Sequence, residues 1–143
     1  MTALTKGRTL KSIPGLLFSY PVLASAIGYQ GGVVVITAAG YAKAGVTGTS
    51  LVAVGIAREG FDNTGGASGA IFAEVDEGIY GMVNSGGGDA ITIADIGKRC
   101  YLVDDQTVAK TSATDTRSIA GWVRKIEGGL IFVEFSNKIA SAV

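Results

Sequence analysis

The sequence predicts an all-β fold: a small barrel or sandwich carrying an extended N-terminal arm. Its 22 glycines against only two prolines are about twice the number expected from a typical glycine abundance of ~7%, as many tight turns between short strands would require. Val, Ile and Ala supply the 48% hydrophobic content, while Glu, Lys and Leu, the usual helix formers, are scarce. Short apolar runs separated by turn signals recur along the chain from Gly31 onward, the spacing of a sandwich or barrel. At 143 residues, one domain with appendages can build a core without disulfide or metal staples.

Residues 1–28 hold neither a helical nor a strand period for long, and Pro14 and Pro21 interrupt both. They read as an extended arm. Leu10, Ile13, Leu16, Leu17, Phe18, Val22, Leu23 and Ile27 are too many apolar residues for a solvated tail, so the arm is expected to lie against a partner. Fully extended, it would reach on the order of 90 Å. The basic stretch to Lys11, the apolar run from Ile13 to Val22 and Ala24-Ser25-Ala26 also have the outline of a signal peptide. Pro14, Tyr20 and Pro21 within the run argue against that reading. They also deny residues 12–42 a clean membrane span, as do Gln30 and Gly31-Gly32.

The domain proper is expected over residues 29–137, followed by a short tail at 138–143. Strands are expected at Gly32–Ala38, Leu51–Ala57, Gly69–Val75, Gly78–Val83, Ala90–Ile93, Arg99–Val103, Thr107–Lys110, Ser118–Ile126 and Leu130–Phe135. Val33-Val34-Val35-Ile36 and Ile131-Phe132-Val133 are apolar on both faces; one face should fill the core and the other meet a second layer or another protomer. Tyr101–Val103 runs into Asp104-Asp105 and resumes at Gln106-Thr107-Val108, a hairpin whose short acidic side chains suit an Asx-type bond to the following amides. A second hairpin turns at Gly128-Gly129, where positive φ meets no Cβ clash.

Residue chemistry narrows the function. There is no histidine, which removes His-based metal sites, Ser-His-Asp and Cys-His systems and the commonest general base near neutral pH. Cys100 is the only cysteine, so no intramolecular disulfide can form; a small buried strand residue is its expected role. Asp62-Asn63-Thr64-Gly65-Gly66 lacks the acidic spacing and closing glutamate of a calcium loop and reads as a turn. Gly45-x-x-Gly48, Gly65-Gly66-Ala67-Ser68-Gly69 and Gly86-Gly87-Gly88-Asp89 are not followed by the Lys-Ser/Thr of a phosphate loop. Glu74, Asp76 and Glu77 could in principle work as paired acids, but they sit where a strand gives way to a turn, where solvated acids are ordinary. Neither catalysis, a cofactor nor a metal is expected.

Zero net charge hides an asymmetry. Residues 1–58 carry Lys6, Arg8, Lys11, Lys43 and Arg58 with no acid, and residues 59–143 carry twelve acids against seven bases, so the halves stand at +5 and −5. Five dispersed charges without interleaved aromatics make a poor nucleic-acid signature, and no nucleic-acid or membrane partner is expected. Trp122 could stack on a sugar ring; a lone strand tryptophan more often anchors a core or an oligomer interface.

The order Asp-Ile-Gly-Lys (95–98), Tyr-x-Val-Asp-Asp-Gln-Thr-Val (101–108), Arg-Ser-Ile-Ala-Gly (117–121) and Phe-Val-Glu-Phe (132–135) resembles the C-terminal half of tailed-bacteriophage head decoration, or capsid cement, proteins. The resemblance is clearest over residues 94–135 and rests on turn and strand signatures. It implies a small β-rich virion protein, made in the host cytoplasm, that binds the outside of the assembled head as a homodimer or homotrimer. Its partner would be the major capsid protein at capsomer junctions. Residues 1–28 carry no motif of the family, so the arm's role is inferred from composition: Lys6, Arg8 and Lys11 to pair with capsid acids, and Leu16, Leu17, Phe18 and Tyr20 to fill apolar grooves. Trp122 is the candidate for the oligomer interface. The competing expectations are a small ligand-binding β-sandwich, carbohydrate-binding through Trp122 and exposed tyrosines, or another virion structural protein.

Overall fold

The computed structural model describes Lys6 and residues 17–137; the expectations for Arg8, Lys11, Leu16 and the tail at 138–143 lie outside the described residues. The fold is built from strands β1 (Leu17–Pro21), β2 (Ile27–Gly28), β3 (Val33–Ile36), β4 (Ala42–Ala44), β5 (Val52–Ala57), β6 (Phe61–Asp62), β7 (Phe72–Asp76), β8 (Gly78–Asn84), β9 (Arg99–Leu102), β10 (Thr107–Ala109), β11 (Ile119–Glu127) and β12 (Leu130–Phe135). The all-β expectation holds. A five-stranded sheet, ordered β1-β7-β5-β3-β4, packs on a closed barrel, ordered β10-β8-β12-β11-β9, and β2 and β6 form a small ribbon. The closed barrel therefore uses only the second half of the expected 29–137 domain.

The valine run of β3 shows how the two parts are joined. Val33 and Val35 pack with Ala53 and Ile56 against barrel residues Leu102, Val108, Val123, Ile131, Val133 and Phe135. Val34 points to the other side, into a second core with Val22, Ala42, Val54, Ala57, Phe61, Ala73 and Val75. A bulge keeps this division consistent: Val34 pairs with Gly55 but Val35 pairs with Ala53, so Val54 is the extra residue on β5. The second layer expected over the apolar strand comes from this chain itself.

From Leu17 onward the structure differs from the expected arm. Leu17–Pro21 pairs antiparallel with β7, from Leu17 opposite Asp76 to Pro21 opposite Phe72, and Val22 is fully buried. Ile27–Gly28 pairs with Phe61–Asp62. Pro21 ends the strand without breaking it, because β1 lies at the sheet edge, where a missing amide donor is tolerated. Val22 is thus covered by its own domain, with Tyr20 and Ala26 packed against the same core, while Ile27 stays exposed.

The expected strand at Ala90–Ile93 is also corrected. Side chains take the place of a ladder there: Asn84 accepts from Ile91 N at 2.9 Å and donates to Ile91 O at 2.9 Å. Asp95 then accepts from Thr92 N at 2.8 Å, completing a capping box on the 3-10 turn Ile93–Asp95. The Asp104 hairpin forms as expected, with its carboxylate accepting from Gln106 N at 2.9 Å and Thr107 N at 2.8 Å.

Candidate assembly surface on the barrel

The outer face of β8, β12 and β11 follows from their alternation. Met82, Ile131, Val133 and Phe135 point inward and are buried, which leaves Ile79, Gly81 and Val83 of β8 and Leu130, Phe132 and Glu134 of β12 on the outside. The antiparallel register sets these residues in rows: Ile79 opposite Glu134, Gly81 opposite Phe132, and Val83 opposite Leu130. On β11, Trp122 stands opposite Glu134, Lys125 opposite Phe132 and Glu127 opposite Leu130.

The result is an apolar strip on the barrel wall. Ile79, Val83 and Leu130 are 49%, 45% and 41% exposed, large values for aliphatic side chains on a small domain. Gly81 makes the strip flat: a Cβ at this position would lie 3.1 Å from Leu130 Cδ1 and 3.5 Å from Phe132 Cε1, so these side chains lean across the glycine. Charges of both signs border it. Arg124 is ion-paired with Glu134, and Lys125 Nζ lies 2.5 Å from Glu127 Oε2.

Trp122, expected at an interface, lies half-buried on this same wall. The strip itself was not evident in the chain order because Val83 and Leu130 are far apart in sequence; only the β8–β12 register brings them together. The available signal was the Leu130–Phe135 run, apolar at both alternating sets.

The aromatic candidates of the N-terminal segment are elsewhere. Phe18 and Tyr20 stack on one face of β1 with ring centroids 6.1 Å apart and an interplanar angle of 28°. Tyr20 packs against the second core and its hydroxyl accepts from Asn137 Nδ2 at 3.2 Å. Burial, opposed by that hydrogen bond and reinforced by the charge of Glu77, raises its pKa. The Tyr20 ring is thus engaged within the domain, while Leu17 and Phe18 remain partly exposed and Lys6 is exposed.

Among the described residues, no group of three or more Cys, Asp or Glu is placed to hold a metal ion, and Glu74, Asp76 and Glu77 do not converge into one. The Asp62–Gly66 segment is a structural clasp. Asp62 Oδ1 accepts from Thr64 N at 2.9 Å, and these Thr64 bonds, side chain first, lower the Asp62 pKa. The buried Asn63 donates to Leu23 O and Ala67 O, both at 3.0 Å, and to Val22 O at 3.4 Å. Sequence reasoning saw the turn but missed Asn63 as the residue that fastens the chain after β1. Comparison with protein-family models, curated proteins and solved structures finds no match to this chain.

Proposed function

We propose that this protein is a structural component of a tailed-phage virion that binds the outer surface of the head and cements neighbouring major capsid protein subunits. The observation that carries the reading is the placement of residues 94–135: the stretch that resembles decoration proteins supplies β9, β10, β11 and β12 of the barrel and, with Leu130 and Phe132, half of its apolar strip. An apolar patch rimmed by both charge signs suits self-association, since two copies can cover Ile79, Val83, Leu130 and Phe132 while their rims exchange partners.

Cementing then follows from multivalency. One protomer makes a modest contact with the capsid; a dimer or trimer joins several such contacts, so release requires all of them to open together. Lys6, Arg8 and Lys11 offer charge partners for capsid acids, and Leu16, Leu17 and Phe18 offer apolar contact. Charges of this sort affect on-rate and salt dependence more than final affinity. Co-sedimentation with decoration-free heads tests the proposal: the full chain should pellet at saturating, fixed stoichiometry, and a folded protein that stays in the supernatant would refute it.

A further inference from the structure

A cavity of about 520 Å³ opens on the barrel beside the apolar strip, between β9, the start of β11, and the loops 49–52 and 112–118. Its volume lies within the range of small-molecule sites, roughly 300–1,000 Å³. Leu51 and Ile119 form apolar wall, the Tyr101 ring borders it, and Ser50, Ser112 and Asp115 bring hydroxyl and carboxylate groups to its rim. Arg99 also lines it, and among the described residues no salt bridge or side-chain hydrogen bond engages its guanidinium, whereas Arg117 is held by Asp89 at 2.6 Å and by Thr111 O at 3.1 Å.

The walls are fixed in a conformation that ordinary turns avoid. Ala113, Thr114 and Asp115 have φ of 50°, 59° and 61°, three consecutive left-handed residues, and Ser50 on the opposite lip has φ of 60°. None is glycine, and such residues carry a cost that surrounding structure must hold in place. Here it does so on both sides. Ser112 O accepts from Thr116 N and Arg117 N at 2.9 and 3.1 Å. Ser118 Oγ donates to Gly48 O at 2.7 Å and accepts from Leu51 N at 3.2 Å, tying the first loop to the barrel.

We infer that this cavity binds a carboxylate-bearing saccharide unit, a uronic or sialic acid. Arg99 presents a planar fork matched to a carboxylate, Tyr101 offers an apolar ring with a polar tip to the sugar, and the Ser50 hydroxyl with Asp115, whose amide donates to Ser112 Oγ at 3.1 Å, matches sugar hydroxyl groups. The inference does not rest on the capsid reading, since it is argued from Arg99, Tyr101 and the two loops rather than from Ile79, Val83, Leu130 and Phe132.

The test is titration of the ¹⁵N-labelled full chain with D-glucuronate and with N-acetylneuraminate, with D-glucose as the neutral control, followed by amide chemical shifts. At least one acidic sugar should cause saturable shifts at Arg99, Tyr101, Ser112 and Asp115, with glucose binding about tenfold more weakly or worse. Arg99→Ala should weaken that acidic sugar by about tenfold, the scale of one charge-assisted hydrogen-bonding partner, and leave a dispersed spectrum because Arg99 is exposed. Arg99→Lys should recover part of the loss. Absence of saturable shifts at these residues, equal binding of glucose, or an acidic peptide binding the same residues more tightly than either sugar would overturn the inference.

Discussion

The thiol of Cys100 is fully buried in β9, and desolvation pushes its pKa up to about 12 from an ordinary value of 9.0. Because the folded state keeps its proton when the unfolded chain has lost it, stability is fully present below about pH 9 and declines as pH rises toward 12, at about 1.4 kcal/mol per unit for this group. Urea midpoints should fall over that window, and Cys100→Ala should flatten the slope; an unchanged slope would mean the thiol is not the titrating group. Asn63 presents a hydrogen-bonding case. Asn63→Ala removes a buried donor from three carbonyls and should cost about 2–3 kcal/mol, measurable by equilibrium unfolding, whereas an ordinary surface substitution stays within ~0.5 kcal/mol.

At the level of elements, β1 is where chain order misleads most. Deleting residues 1–28 should strip the cover from Ala73, Val75 and the rest of the second core and lower the thermal midpoint by on the order of 10 °C or more. Deleting 1–16 keeps every strand of the described residues and should lower the midpoint much less; equal losses for both deletions would contradict the placement of β1. The strands with long apolar runs, β3, β5, β8, β11 and β12, were legible because alternation and flanking glycines both signalled them. Those missed, β1, β2, β4 and β6, are short or proline-bordered and are held by partners distant in sequence, as Tyr20 is by Ala73 and Gly28 by Phe61. Ala90–Ile93 had strand composition, but the side chains of Asn84 and Asp95 claimed its backbone. Of the candidate surface, Trp122 could be singled out from the chain. The flat strip around Gly81 could not, since it exists only in the register between β8 and β12.

For the whole molecule, the proposed role joins two properties: self-association through the barrel wall and attachment to a capsid through the other elements. The double variant Leu130→Lys with Phe132→Glu places charges where two copies would meet, without touching an inward-facing residue. Light scattering on a sizing column should show the parent as a dimer or trimer and the variant as a monomer with unchanged circular dichroism; a parent that is monomeric at high concentration would remove the barrel wall from the account. Cementing makes a stronger demand than binding. The most direct measurement is the temperature at which DNA-filled heads lacking decoration protein release their genome, followed with a DNA-binding dye in the presence and absence of this protein. The account predicts that saturating protein raises the release temperature and that the monomeric double variant raises it less. An unchanged release temperature on heads shown to be fully occupied would contradict it.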